Sequence, residues 1–304
     1  MMKKIQNFNM NENTTTINEK KSPFSVFDYN SEYVRRHTIE RTGILISDLD
    51  REICRTLSVH LVATAELLFR EFTNKGYTYT KHDIQWHLKK LSASGHVQKL
   101  SFESATGYFS GKAYILAGRG VSLLASEGIR YRLGGYLCEL DVFGYKRLLA
   151  ANQLLIAGKY DNIKVANVAF VEAKNEKEKA SIIVRPTAMI LDDKDEVVRS
   201  FVEVVRRTPT ANDDLIDKLV RIIKLYKHRK SNTNVQISDE LSVIIVAEDK
   251  AHACELADLT KKLSKKISLC FTDDRATYES KDFLYEYCSD KPTGFFSNLI
   301  SACF

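Results

Sequence analysis

Six polar and aromatic side chains recur along one short segment at a spacing suited to contacts with nucleic acid. The six are Lys81, His82, Gln85, Trp86, Lys89 and Lys90. Between them Ile84, Leu88 and Leu91 recur at i, i+4 and i+7, which predicts a helix with one buried apolar stripe. Such a helix fits the major groove of B-DNA, where Gln can address adenine edges and Lys can address guanine or phosphate. We expect the amino-terminal members to contact bases and Lys89 and Lys90 to contact the backbone; a merely solvated face is the alternative.

Two strand patterns, at residues 96–102 and 112–116, follow this helix and predict a β-hairpin. Lys99, Tyr108 and Lys112 would place charges and an aromatic ring on it. A hairpin of this kind can lie along a groove or on phosphates, so we expect these three side chains to contribute to DNA binding.

Glu203 raises the question of metal chemistry, because it interrupts an apolar strand pattern. Metal-dependent nucleases hold Mg²⁺ with carboxylates on neighbouring strands, since this ion is bound by one or two carboxylates plus phosphate oxygens. The matching positions are Thr187 and Val205, neither of which is an anion. We therefore expect no metal, cofactor or catalytic residue, and keep a Mg²⁺-dependent nickase or nuclease with Glu203 as ligand as the alternative. A buried Glu203 needs a basic partner. The candidates are Arg185, Arg206 and Lys218.

The first half of the chain has the helices needed to position the polar face. Helical spacing of Leu49, Ile53 and Leu57 predicts a first helix, and residues 63–72 predict a second. Thr80 is the expected N-cap of the third helix, which Gly95 ends. A short helix with Val121, Leu123 and Leu124 follows the hairpin. This order is that of a winged helix-turn-helix.

The second half alternates strands and helices in the order αβββαβαβ, which predicts an α/β domain with a mixed sheet. The predicted elements cover residues 145–156, 163–172, 181–191, 197–205, 213–227, 241–247, 252–263 and 267–271. The fold class expected for the whole chain is thus α+β, a winged helix-turn-helix followed by an α/β mixed-sheet domain.

The length of 304 residues predicts two domains. We divide the chain into a disordered tail over 1–40, a DNA-binding domain over 41–130 and an α/β domain over 131–304 that ends in an aromatic tail. Of the net charge of +6, +4 falls within 41–130, which favours a polyanionic partner for that domain. Six cysteines without a C-x-x-C pair indicate a reducing compartment, and no apolar stretch is long enough for a membrane span. We expect a cytoplasmic protein that binds double-stranded DNA and no membrane.

Motifs in both halves together resemble the replication-relaxation family of plasmid and mobile-element proteins. The first half matches in HLKKLSASGHVQKL and KAYILAGRGVSLLASEG, and the second in RPTA, FVEVVRRT, Lys218 and Tyr226, in order over about residues 45–275. The family pattern has Arg-Pro-Asp-Ala and Glu-x-Asp-Arg-x-Thr, so this chain departs from it at Thr187 and Val205.

The resemblance implies a winged helix joined to a restriction-endonuclease-like domain that is degenerate here. It also implies a role in plasmid replication initiation or mobilisation, with replication or transfer proteins as partners. A transcriptional repressor would need the same DNA contacts and remains an alternative. Homodimer formation is left open.

Overall fold

The computed structural model describes residues 31–37, 43–104, 109–131, 137, 140–158, 163–164, 171–175, 180–192, 197–229, 233–279 and 285–286. They form a mixed α+β fold with antiparallel and mixed sheets. None of the helices among these residues is long and apolar enough to cross a membrane. Tyr108 and most of the predicted aromatic tail lie outside the described residues.

The described residues of the first half form four helices and four strands. In chain order these are β1 Ser31–Arg36, α1 Asp48–His60, β2 Val62–Ala63, α2 Ala65–Asn74, α3 Lys81–Ser94, β3 Val97–Ser104, β4 Phe109–Leu116 and α4 Gly118–Ser126. The strands form one antiparallel sheet in the order β1-β3-β4-β2. The predicted element order is present, with β1 and β2 in addition.

Helix α3 begins and ends where its sequence predicts. The Thr80 side chain accepts from the backbone of Asp83, whose carboxylate accepts from the backbone of Thr80, forming a capping box. Gly95 closes the helix in the left-handed conformation, at φ 80°. The apolar stripe of Ile84, Leu88 and Leu91 is fully buried, as expected, against the core of this half. The opposite face of α3 is consequently the solvent side.

Strand β1 corrects the prediction of a disordered tail for part of its length. Residues Ser31–Arg36 pair antiparallel with β3, with Arg35 opposite Ser101 and Arg36 opposite Leu100. The guanidinium of Arg36 donates to the Leu137 carbonyl oxygen at 3.0 Å. No local sequence pattern predicts this strand, because a partner about 65 residues away stabilises it.

The second half contains a six-stranded sheet in the order β12-β11-β10-β9-β8-β5. The described elements of this half, in chain order, are α5 Val142–Ala157, β5 Ile163–Lys164, β6 Val171–Asn175, β7 Ala180–Val184, β8 Ala188–Leu191, β9 Val197–Val204, α6 Ala211–Lys227, β10 Gln236–Ala247, α7 Lys250–Thr260, β11 Ser268–Asp273, α8 Asp274–Glu279 and β12 Tyr285–Glu286. Strands β9, β10 and β11 are parallel, whereas β8 and β12 are antiparallel to their neighbours. Strands β6 and β7 form a separate pair. The expected mixed sheet is confirmed.

One predicted strand, over residues 181–191, is in fact two. It is interrupted at Arg185-Pro186-Thr187, between β7 and β8. Proline has no backbone N–H to donate to a ladder, so it cannot continue a central strand. The interruption moves β7 out of the main sheet and leaves β8 beside β9.

Alternate residues of the central strands face two different helix layers. Val202 and Val204 pack with α5, whereas Phe201 packs with α6 and α7. Glu203, between these positions, consequently points to the α6 side. The sheet is covered by helices on both faces.

Helix α5 belongs to two cores at once. Tyr145, Leu148 and Leu149 pack into the core of the first half, while Leu154 and Leu155 pack against the sheet of the second half. Apolar residues lie on both sides of this helix, which allows both sides to be buried. The predicted boundary at residue 130 therefore lies just before a helix that the two halves share.

Candidate nucleic-acid interface

The solvent face of α3 carries most of the side chains predicted to contact DNA. Those exposed on this face are Lys81, His82, Gln85, Trp86 and Lys89. Trp86 is 56% exposed, which is unusual for the largest apolar side chain. The Lys81 ammonium lies 2.5 Å from Glu66 of α2, yet half of its side chain remains in solvent. The amino-terminal part of the helix thus presents donors, acceptors and an aromatic ring together.

Lys90 departs from the prediction of an exposed face. Its side chain is only 19% exposed, and its Nζ lies 2.6 Å from Oδ2 of Asp50 on α1. The carboxylate of Asp50 is completely buried, so the positive charge of Lys90 is needed inside the fold. Lys90 holds α3 against α1 and is a weaker candidate for phosphate contact than Lys89.

Asp50 is the central hydrogen-bond acceptor in the contact between α1 and α3. Its Oδ2 accepts from the backbone and hydroxyl of Ser47, which caps α1, and its Oδ1 lies 2.7 Å from Nδ1 of His87. An ionised carboxylate only accepts, so Nδ1 of His87 is the donor. Burial raises the pKa of Asp50, but hydrogen bonds from Lys90, His87 and Ser47 outweigh it and leave this pKa below its usual value. The carboxylate therefore stays charged and fixes the orientation of α3.

Trp86 lies beside this junction without being covered by it. Its ring meets the ring of His87 edge-on at 4.8 Å between centroids, and the Lys90 ammonium lies 5.7 Å from the Trp86 centroid. These contacts restrict the indole while leaving more than half of it in solvent. A preoriented aromatic ring of this kind can contact a partner at low entropic cost.

The two predicted hairpin lysines lie on the face of the sheet opposite to Leu100 and Phe102, which are buried in the core. Lys112 is exposed, whereas Lys99 is partly covered, and burial together with the nearby charge of Lys112 lowers the pKa of Lys99. Tyr108, the third predicted hairpin contact, lies outside the described residues.

Glu203 forms a buried ion pair with one of its three candidate partners. Its Oε2 lies 2.8 Å from Nζ of Lys218 on α6 and accepts a longer contact, 3.4 Å, from the Thr187 hydroxyl. Burial raises the pKa of Glu203, and Lys218 partly offsets this effect. Arg206 instead donates to Asp274 at 3.0 Å, and Arg185 is exposed. Of the three alternative partners, the structure selects Lys218.

The residues around Glu203 supply few ligands for a cation. Val205 packs into the apolar core beneath α6, and Oε2 of Glu203 is paired with the ammonium of Lys218. Within the part of the chain that the structure describes, no group of three or more His, Cys, Asp or Glu side chains could hold a metal ion.

Charged residues gather where the parallel strands end, in pairings that the sequence does not predict. Arg206 and Asp274 are both at least 98% buried and pair across the ends of β9 and β11. Burial raises the pKa of Asp274 to about 6, although Arg206 opposes this effect. Arg207 bridges Glu248 and Asp249, which follow β10. The signal was available, because the carboxyl ends of parallel strands meet at one sheet edge, but the pairings depend on three-dimensional packing.

Comparison with protein-family models, curated proteins and solved structures found no match to this chain. In the second half, Glu203 pairs with Lys218, Arg206 with Asp274, and Arg207 with Glu248 and Asp249, so these charged groups face each other. The solvent face of α3 instead presents polar groups outward. This exposed face is the candidate interface.

Proposed function

We propose that this protein is a cytoplasmic, double-stranded DNA-binding protein that uses α3 as a recognition helix. The observation that carries the proposal is the outward polar face of α3, whose opposite side is locked to α1 through Asp50. Preorganised donors on an exposed helix are what major-groove recognition requires. The free thiols of Cys54, Cys254 and Cys270 are compatible with a reducing compartment.

The arrangement of α1, α2, α3 and the β3–β4 hairpin supports a winged helix-turn-helix as the DNA-binding unit. Gln85 and His82 would address base edges, and Lys89 would contact phosphate. Lys81 shares its charge with Glu66 and would contribute less than a fully solvated lysine.

The second half would serve as a scaffold of nuclease-like topology without catalytic activity. The pairing of Glu203 with Lys218 supports a structural role for this carboxylate. The resemblance to the replication-relaxation family supplies replication initiation or mobilisation of a plasmid or other mobile element as the process. It also supplies replication or transfer proteins as partners.

The recognition helix can be tested by selecting duplexes from a random 30-bp library with the full-length protein. We expect enrichment of a defined sequence, and loss of the preference in His82→Ala/Gln85→Ala. Lys250→Gln/Lys262→Gln, which changes two exposed lysines of the second half, is the control and should select the same sequence. A wild-type chain that enriches nothing, or a double alanine variant with unchanged preference, would contradict the proposal.

Catalysis by the second half is tested separately with supercoiled plasmid and Mg²⁺ or Mn²⁺. We expect no nicking above background. Nicking by the wild-type chain that disappears in Glu203→Gln would establish Glu203 as a metal ligand and replace the scaffold role with a nuclease.

A further inference from the structure

Strand β10 contains a wide bulge opposite Arg199 of β9. The ladder between the two strands reaches Ile237 opposite Val198 and resumes at Ser242 opposite Ser200. Four residues of β10 thus lie opposite one residue of β9, whereas an ordinary bulge adds a single residue. Extra residues bend a strand away from its partner, and bulges of this kind are frequent beside functional sites.

Side chains at the end of α6 fix this bulge. The hydroxyl of Tyr226, in the last turn of the helix, donates to the backbone oxygen of Asp239. The guanidinium of Arg229 lies 2.7 Å from Oδ1 of Asp239 and also lies over the Tyr226 ring, 4.1 Å from its centroid. The bulge is therefore a defined part of the fold.

A cavity of about 790 Å³ is lined by the bulge and by the turn that precedes β11. Small-molecule sites typically measure roughly 300–1,000 Å³, so its size suits such a ligand. The cavity lies near the amino ends of the parallel strands. Ligands of open α/β sheets usually bind at the carboxyl ends, which are occupied here by the pair of Arg206 and Asp274.

Three basic side chains line the cavity, and none of them has a counterion among the residues that the structure describes. They are Arg199, Lys265 and Lys266. Arg199 is the most informative, because it is partly buried, whereas the cations of Arg206 and Lys218 are each paired with a carboxylate. A partly desolvated guanidinium without an acceptor is unfavourable, and an anion in the cavity would supply the acceptor.

Hydroxyl and carboxyl groups make up much of the remaining lining. They belong to Ser238, Ser242, Ser264, Ser268, Asp192 and Glu240. Ser238 accepts from the backbone of Glu240 at 3.1 Å, which leaves its O–H to donate. Carboxylates accept hydrogen bonds from sugar hydroxyls, as they do in ribose recognition. Tyr226 is the one aromatic residue among the described lining residues, and Arg229 already lies over its ring, so a hydrophilic ligand fits better than a stacked base.

We infer that this cavity binds a small phosphorylated sugar. Arg199, Lys265 and Lys266 hold its phosphate, and the carboxylates of Asp192 and Glu240 accept from its hydroxyl groups. A guanidinium can donate two parallel hydrogen bonds to one phosphate, and the ammonium groups add positive charge. The inference goes beyond the proposed function and does not depend on it, because the cavity lies in the second half and shares no residue with the solvent face of α3.

Ribose 5-phosphate is the probe, and saturation-transfer difference NMR with the full-length protein at constant ionic strength measures its binding. For a ligand of about 14 non-hydrogen atoms, a typical ligand efficiency corresponds to a dissociation constant of about 1 mM or lower. Ribose, and inorganic phosphate added as a competitor, should each bind at least about tenfold more weakly, because each lacks one of the two recognised groups. No binding of ribose 5-phosphate up to about 10 mM, or equal binding of ribose or phosphate, would overturn the inference.

Variants of the lining locate the site. Arg199→Gln should weaken ribose 5-phosphate binding by about tenfold or more and should unfold at the same urea concentration as wild type, because its side chain has no partner to lose. Lys265→Gln/Lys266→Gln alters exposed residues of a turn and should weaken binding at least about threefold without disturbing the fold. Lys250→Gln/Lys262→Gln removes two exposed charges outside the cavity and should leave the affinity unchanged. Unchanged affinity in either lining variant, or an equal loss in the control, would contradict the assignment.

Duplex DNA carries the same phosphate chemistry and is distinguished by competition. The duplex should not displace ribose 5-phosphate, and Arg199→Gln should bind the duplex as tightly as wild type does. Displacement by the duplex, or weaker duplex binding by Arg199→Gln, would assign these cations to DNA and overturn the inference. A wild-type chain that binds ribose 5-phosphate but no duplex would refute the proposed function and support the sugar phosphate site.

Discussion

Replacing Asp50 with asparagine should destabilise the protein by about 2–4 kcal/mol. The carboxylate is fully buried and accepts from Ser47, His87 and Lys90 at 2.6–2.8 Å. An asparagine can keep the cap on α1 through its oxygen, but its NH₂ group would then face Nδ1 of His87, which is also a donor. Charge-assisted hydrogen bonds contribute about 1.5–3 kcal/mol each, and breaking a buried ion pair costs about 3–5 kcal/mol. The lower part of the combined range applies because Lys90 can turn toward water.

Urea unfolding at pH 7, followed by far-UV circular dichroism, measures this cost. Lys89→Gln alters the neighbouring exposed lysine and should change the free energy of unfolding by less than about 0.5 kcal/mol. In a double-mutant cycle, Asp50→Asn and Lys90→Met should be coupled by at least about 1 kcal/mol. A cost for Asp50→Asn no larger than that of Lys89→Gln, or additivity within the cycle, would refute the role of Asp50 as the clamp between α1 and α3.

The pH dependence follows from the direction of the shift. The pKa of Asp50 in the folded protein lies below its ordinary value of 3.8, because Lys90, His87 and Ser47 outweigh the effect of burial. The unfolded chain therefore takes up a proton first as the pH falls, and the stabilisation is lost as pH drops from 3.8 through the folded-state pKa. The difference in unfolding free energy between wild type and Asp50→Asn should thus be smaller at pH 3 than at pH 5.

Two further substitutions test packing elsewhere. Lys218→Met leaves the carboxylate of Glu203 buried without its partner and should cost about 3–5 kcal/mol at pH 8. Because burial raises the pKa of Glu203, the folded state binds this proton more tightly than the unfolded chain does, so the free energy of unfolding of this variant should fall between pH 5 and pH 8. Glu203→Gln/Lys218→Met should recover part of the loss. A loss that does not depend on pH would contradict the pairing of Glu203 with Lys218. Gly120→Ala should lower the free energy of unfolding by about 2–3 kcal/mol, measured in thermal or urea unfolding, because the added Cβ would overlap the backbone oxygen of His96. Gly118 has open space around it, so Gly118→Ala should change the free energy of unfolding by less than about 1 kcal/mol. Equal effects at the two glycines would show that the predicted overlap is relieved.

Local sequence signals were sufficient to predict α3. A capping threonine, a buried stripe and a closing glycine act within 16 residues, and each favours the same helix. The exposure of His82, Gln85 and Trp86 follows from the same periodicity.

The errors lie where distant parts of the chain meet. Lys90 has the spacing of an exposed residue, yet a buried carboxylate 40 positions earlier holds it. Arg35 belongs to a polar segment with little periodicity and becomes part of a sheet only because β3 offers an open edge. Glu203 had three plausible basic partners, and the side of the sheet that it faces decided in favour of Lys218. Periodicity assigns a residue to a face of its own element; it does not say which element covers that face.

Because α5 is buried in two cores, we expect the two halves to unfold as one cooperative unit. Asn152 donates to backbone oxygens of His60 and Val62 in the first half, while the adjacent Gln153 donates to Asp274 and Thr277 in the second. Cutting the chain before α5 would expose the groove that receives Leu148 on one fragment and deprive the other of a helix layer. We expect a single unfolding transition for the intact protein, and a fragment truncated at residue 130 should populate open, aggregation-prone states. An isolated DNA-binding unit would therefore have to retain α5 and replace its sheet-facing apolar side chains with polar ones.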